Sequence, residues 1–413
     1  MDVFSVNDIW AESQGEGVTV AVVDSGVDAS HPDLTGQVLE GKDFTGGGNA
    51  QKDIQGHGTG MASLIAGHGH GAGNEAGVKG LAPKAKILPL RTLQTTADRN
   101  ADETWGAAVR YAVDHGAGVI NLSFANDGGH TLSDGRQAIA YAQAHDVVVV
   151  AGAGNEGSIA VSEPAALPGV VAVGAVDKNA NRWEGSNMGK RLTLMAPGVD
   201  IVAANPKRSP QYGLSDGTSD STAYVSAAAA LVRAKYPDLT AGQVINRLIK
   251  SASFLHHKGL KAPDEEYGYG IVRPYSALTM NIPKGSKGNP LGQIKLAENT
   301  SASNSKVAGQ SEKAKGSRSM GAIVLLVGVV GILAVVAAVT VFAVTRSRRN
   351  PANGAPGRGS YPQAGYLPQQ SLPPTAEPPY TTPPLGQGHG YAAPPVQPPR
   401  YPNPYSEQPP YQG

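Results

Sequence analysis

The chain has no cysteine among its 413 residues. That excludes disulfides, thiol catalysis and Cys-ligated zinc, but leaves the compartment open, because many secreted bacterial proteins also lack cysteine. A dominant charge is missing too: 34 Lys and Arg against 33 Asp and Glu leave a net charge of +1. Such a balance gives no reason to expect nucleic acid or a strongly acidic partner. The opening stretch MDVFSVNDIWAESQGEG has neither a basic segment nor an apolar run, so it does not read as a signal peptide.

One long hydrophobic run is present. Residues 321–344 carry no charge, with Arg318 before them and Arg346, Arg348 and Arg349 after. At about 1.5 Å per residue such a segment makes roughly 36 Å of helix, enough to cross a ~30 Å hydrocarbon core. An all-apolar helix between two polar, low-complexity segments has no core to join, so the expectation is a transmembrane helix. Residues 282–320, rich in Ser, Gly, Lys and Asn, read as a flexible linker. Residues 345–413 read as a disordered Pro/Tyr/Gly-rich tail. From 351 onward it holds 18 of the chain's 31 prolines and 7 of its 15 tyrosines. That composition favours polyproline II over a core and suits partners that read proline-rich segments.

Residues 1–281 read as one globular domain. Near-continuous apolar runs at 18–23, 85–90, 118–122, 147–151 and 170–176 have the pattern of strands buried on both faces. Amphipathic stretches at 61–66, 105–115 and 134–145 lie between them. Strand–helix alternation predicts an α/β fold with a mostly parallel sheet and helices on both faces. In such sheets functional groups gather at the carboxyl ends of the strands, where Asp24 and the residues after Val150 fall.

Three islands carry chemistry-bearing residues: Val23-Asp24-Ser25-Gly26, Gly56-His57-Gly58-Thr59 and Asp216-Gly217-Thr218-Ser219. A serine hydroxyl is a poor nucleophile at neutral pH and needs a base; the base needs an anion to fix its tautomer. Asp24, His57 and Ser219 supply those three types. Taken singly, an Asp-Ser-Gly is usually a turn and a Gly-His-Gly usually a surface loop. Of the ten histidines only His57 sits in such a context; His68 and His70, in a Gly-rich stretch, read as solvent-exposed.

Together the islands resemble the aspartate, histidine and serine motifs of the subtilisin-like serine proteases, the subtilases, in that family's order. The segment Ala151-Gly152-Ala153-Gly154-Asn155 resembles the one whose Asn completes the family's oxyanion hole. Losing such a donor typically costs about 10²–10³ in rate. Asn121-Leu122-Ser123-Phe124-Ala125 resembles the strand that pairs with substrate. Leu81-Ala82-Pro83, Ser186-Asn187-Met188-Gly189 and Ala196-Pro197-Gly198 match further landmarks, so the resemblance spans residues 10 to about 280. It implies a serine endopeptidase with Asp24, His57 and Ser219 catalytic and Asn155 in the oxyanion hole. Ser123, Phe124, Ala125, Gly152 and Ser162 would contact substrate. No cofactor is required by this chemistry. Calcium is a common structural ion in the family, but no carboxylate cluster here is distinctive enough to name ligands, so no metal site is assigned. The rival reading is a catalytically weak or inactive scaffold of the same fold that holds peptides without cutting them.

The chain also departs from the family pattern. After the nucleophile the family commonly has Met-Ala, a small residue and Pro; here stand Asp220-Ser221-Thr222-Ala223. Ser219, preceded by Gly-Thr, is therefore the match and Ser221 is not. Asp220 brings a carboxylate near the reaction centre, and Ala125 replaces the usual Gly. A single span after the catalytic domain resembles the mycosins, the subtilases of actinobacterial type VII secretion, although mycosins usually have cysteines and a short C-terminus. The expected topology is a single-pass membrane protein with the catalytic domain extracytoplasmic and the tail cytoplasmic. Arginines near the span favour it weakly, three on the tail side against one within about five residues, but the count evens out over about 15. Export of the domain calls for a signal upstream of Met1, so the sequence is expected to be incomplete at its start.

Overall fold

The computed structural model of the protein describes residues 4–93, 102–126, 131, 133–255 and 257–295. The expected transmembrane helix, the tail and the linker beyond 295 lie outside the described residues. Among those described, no helix is long and apolar enough to cross a membrane.

The strands, in chain order, are β1 (Thr19–Asp24), β2 (Lys42–Asp43), β3 (His68–His70), β4 (Ala76–Lys79), β5 (Lys86–Arg91), β6 (Val119–Leu122), β7 (Val148–Gly152), β8 (Val171–Val176), β9 (Leu194–Pro197), β10 (Ile201–Ala204) and β11 (Tyr212–Ser215). The helices are α1 (Val6–Glu12), α2 (His57–Ala66), α3 (Asp102–Asp114), α4 (Ser133–Ala144), α5 (Thr218–Lys235), α6 (Ala241–Ser251) and α7 (Pro274–Thr279). Seven strands form one sheet in the order β2-β5-β1-β6-β7-β8-β9, with every pairing parallel. The pairs β3–β4 and β10–β11 are antiparallel ribbons outside it.

Alternation along the strands explains the unbroken apolar runs. Val20 and Val22 face one core, with α2, α5 and α6; Ala21 and Val23 face the other, with α3 and α4. Val148 and Val150 divide from Val149 and Ala151 in the same way. With both faces covered, every position must be apolar. Helix α5 runs through the larger core with Ala227 to Ala230 all fully buried. Alanine is the strongest helix former and its small side chain lets the helix lie close on the sheet.

Strand order reverses at β1, flanked by β5 and β6, and the crevice at such a point opens beyond the carboxyl ends of the strands. Asp24 closes β1 there. His57 and Thr218 are the first residues of α2 and α5, the two helices that pack on each other above the sheet.

The domain extends further than its composition suggests. Residues 282–295, read as the start of the linker, are fastened across the opposite end of the sheet. Arg247 and Gln243 donate to the carbonyls of Ile282 and Gly285, at 3.2 Å each. Asn289 donates to the Gly169 carbonyl at 2.8 Å, the Gly169 N–H donates to Leu291 O at 3.0 Å, and Gln143 accepts from the Ile294 N–H at 3.0 Å. Since Gly169 precedes β8 and Gln143 ends α4, this strap lies at the amino ends of the strands, away from Asp24.

Thr240 ties the strap to α6. It caps the helix in a reciprocal pair with Gln243 and donates its hydroxyl to Lys287 O at 2.9 Å. Thr240→Ala is expected to lower stability by about 1–2 kcal/mol, measured as a lower urea midpoint at unchanged m value.

Candidate active site

Asp24 is 2% exposed, and its Oδ1 accepts from the Ser25 N–H at 2.7 Å. His57 Nδ1 lies 2.9 Å from both carboxylate oxygens. A carboxylate only accepts, so Nδ1 carries the proton and Nε2 is left as the basic nitrogen. The approach depends on Gly58. A Cβ there would overlap the Gly26 carbonyl oxygen and press on Asp24 Cβ, driving α2 off the end of β1.

Asp53 holds the loop that leads into His57. It is buried, and its Oδ1 accepts from Ser25 Oγ, Gln55 N and Gly56 N at 2.8–2.9 Å. Its Oδ2 accepts from Thr59 N and Thr59 Oγ1 at 2.8 and 2.6 Å. Sequence reading passed over this residue. An Asp three positions before the Gly that opens a helix was the available signal, since that spacing suits a carboxylate capping free N–H groups.

Ser219 is half-buried in the first turn of α5 and donates to the Ser123 carbonyl at 3.0 Å, while Ser123 Oγ donates back to Ser219 O at 3.1 Å. Ser221, the other serine of the segment, is fully buried and donates to the carbonyls of Ala196 and Pro197, at 2.9 and 3.1 Å. It has no access to a ligand.

Asn155 sits exposed after β7. Its Oδ1 accepts from both the N–H and the hydroxyl of Thr218, each at 2.9 Å. A backbone N–H can only donate, so the bonded atom is the oxygen and the Nδ2 donors are free for a ligand. Behind Asn155, Gly154 adopts φ +110°, and any side chain there would run into Asn187 and Glu156. Asn187 donates to Glu156 at 2.8 Å and to Ser162 Oγ at 3.2 Å. Ser162 is therefore part of the bonded wall beside Asn155. Phe124 packs on Trp105 with ring centroids 5.9 Å apart, Ala125 is half-buried, and Gly152 lies beside Thr218 Oγ1.

The structure thus brings Asp24 and His57 into direct contact, and Ser219, Ser123 and Asn155 together around the α5 N-terminus. That helix end favours negative charge placed on it. It does not bring His68 and His70 into the site; they are partly exposed, as expected, but each is hydrogen-bonded. His70 is half-buried with Nδ1 2.5 Å from Asp33, and His68 bonds to the carbonyls of Gly69 and Thr35. Strands β3 and β4 bond to Asp33 through His70, Val78 N and His68 N, which the glycine content did not reveal. Among the described residues no group of three His, Cys, Asp or Glu is placed to hold a metal ion.

Burial lowers the affinity of His57 for a proton, but the Asp24 charge and hydrogen bond, with Asp220 and Asp53 behind them, outweigh it and push the imidazole up to about 9. Asp220, 1% exposed, is pushed up to about 6 by burial, against the opposing pull of His57 and Ser215.

Comparison with known proteins places the chain in a family. The model of the family described as "Subtilase family" matches residues 15–270. The chain is 38% identical over 259 residues to subtilisin DY of Bacillus licheniformis, covering 60% of this chain and 89% of that one. It is 37% identical over 227 residues to thermitase of Thermoactinomyces vulgaris, covering 54% and 77%. Among solved structures, MycP1 from Mycobacterium smegmatis superposes with a TM-score of 0.59 at 28% identity, covering 71% of this chain and 88% of that one. The MycP3 protease from the type VII (ESX-3) secretion system gives 0.55 at 31%, covering 68% and 87%.

Gly58→Ala tests the close approach of α2 to β1. It is expected to cost about 1–3 kcal/mol of stability and, by displacing His57, about 10² in activity. Peptidase assays on folded protein below the variant's melting temperature check this.

Proposed function

The chain belongs to the subtilase family and is a serine-type endopeptidase with a mycosin-like fold; on that premise we propose that Asp24, His57 and Ser219 form its catalytic triad within a membrane-anchored protease. The observation that carries the reading is the orientation of His57, whose protonated Nδ1 faces buried Asp24 and whose basic Nε2 is left for a serine. Ser219 Oγ attacks the peptide carbonyl, and its proton passes to Nε2 as the C–O bond forms. Asn155 Nδ2 and the Ser219 N–H receive the charge on the carbonyl oxygen. His57 then gives the proton to the leaving amine as the C–N bond breaks, and water enters by the same steps reversed to release the acyl group.

Ser123, Phe124 and Ala125 would pair with the substrate backbone, and Ser162 and Gly152 would border the pocket for the side chain before the cut. The rival scaffold reading has less support, since every group needed for hydrolysis is present. Anchoring rests on residues 321–344. The proposed topology puts the catalytic domain outside the cytoplasm and the tail within, where partners that read proline-rich segments could bind it. MycP1 and MycP3 come from type VII secretion systems, and a role beside such a system is the proposed setting.

Ser219→Ala and His57→Ala should each bring peptide hydrolysis to near background, with the double variant little worse, because a triad fails as a unit. Ser221→Ala should keep activity and lose about 1 kcal/mol of stability. Activity retained by Ser219→Ala would refute the assignment. The base must be unprotonated, so with His57 raised to about 9, kcat/KM should climb roughly tenfold per pH unit up to about pH 9 and then level. Stopped-time assays across pH 6–10 give this curve.

A further inference from the structure

The carboxylate that follows the nucleophile is a buried charge that the mechanism above does not use. Asp220 lies in the first turn of α5, where the free N–H groups favour an anion, and is 1% exposed while its neighbour Ser219 is half-buried. Both its oxygens accept from Ser215 Oγ, at 3.1 Å. Ser215 in turn lines, together with His57, Met61 and Leu214, a cavity of about 320 Å³. The anchor of Asp220, at the end of β11, and the imidazole, at the start of α2, therefore border one open pocket.

Resting on the triad reading, we propose that Asp220 is a positioning residue that acts on His57 through space, as a second carboxylate that stabilises the imidazolium and sets the pH range of catalysis.

The surrounding charges make His57 its counterpart. The charge of His57, from α2, acts on Asp220; from β1, Asp24 holds the same imidazole; from the loop before α2, Asp53 adds a third negative charge. Asp216 before α5 repels it, and Tyr224, one turn further on, has its phenol pushed up by burial and then by Asp220. Arg208, from the loop between β10 and β11, borders the cavity but is exposed. Among the described residues no Lys or Arg forms a salt bridge with Asp220. A buried anion is costly unless an opposite charge offsets it, and the charge within its reach is the one His57 gains when it takes the Ser219 proton. The same attraction holds the resting imidazole protonated to higher pH, so Asp220 strengthens the transition state and delays the base form.

A merely structural Asp220 would change stability or the height of the rate profile, not its position on the pH axis. For the full chain, Asp220→Asn is expected to move the acidic limb of kcat/KM down by about one unit. Because the same attraction acts on the resting imidazolium and on the transition state, the two curves run together below the limb, and the variant levels off earlier, at a plateau up to about tenfold lower. Asp220→Glu should leave the limb near its original place. Asp220→Met, which puts the family's common residue there, should repeat the Asn shift and serves if the Asn variant does not fold. An unchanged limb in a folded neutral variant overturns the proposal. Ser219→Ala, assayed alongside, separates the two readings: its loss of activity keeps the triad whatever Asp220 does, and its survival would remove the triad itself.

Discussion

The contact between His57 Nδ1 and Asp24 is the one on which the rest of the site depends. It requires a carboxylate at the end of a strand buried on both faces, and a helix that starts within hydrogen-bonding distance of it. Gly58 permits the distance, since nothing larger fits between α2 and the Gly26 carbonyl. Asp53 fixes the direction by gathering donors from both sides of the gap, Ser25 after β1 and Gly56 and Thr59 around the start of α2. With the imidazole held at Nδ1, its basic nitrogen has one orientation, and in the proposed triad Ser219 of α5 is its partner.

Charge around that imidazole is unusually one-sided. Three carboxylates act on His57, in the order Asp24, Asp220 and Asp53, within a chain whose overall charge is nearly balanced. Under the proposed mechanism a site so arranged favours the imidazolium of the transition state and, for the same reason, resists losing the proton beforehand. The helix N-terminus under Ser219 works in the opposite sense, favouring the negative oxygen of the tetrahedral intermediate. The two fields are complementary, since the proposed mechanism separates a positive imidazolium from a negative oxyanion.

Much of this was legible in the sequence because it is local. Five of the seven strands of the main sheet are apolar runs whose observed ends shift by about a residue from those expected, while β2 and β9 were not among them, and Asp24, His57, Ser219 and Asn155 lie in short motifs beside strand or helix ends. What escaped was built from distant partners. Asp53 matters through Ser25, 28 positions away, and the wall beside Asn155 through Glu156 and Asn187, 31 apart. Residues 282–295 look like a linker because they have little apolar surface, yet they are ordered by Asn289, Gln243 and Gln143 bonding to backbone. Composition reports burial of apolar groups and is blind to order achieved by polar ones. The bond of His70 was missed for the same reason, its partner Asp33 lying 37 residues earlier.

The account stands on Ser219 being the activated hydroxyl, and covalent labelling tests that most directly. A fluorophosphonate probe reacted with the folded full chain, followed by peptide mass spectrometry, reads which side chain carries the phosphonyl group. The account predicts one adduct per chain, on Ser219, that disappears in His57→Ala. A folded chain that takes no label, or one labelled at Ser221, would contradict it.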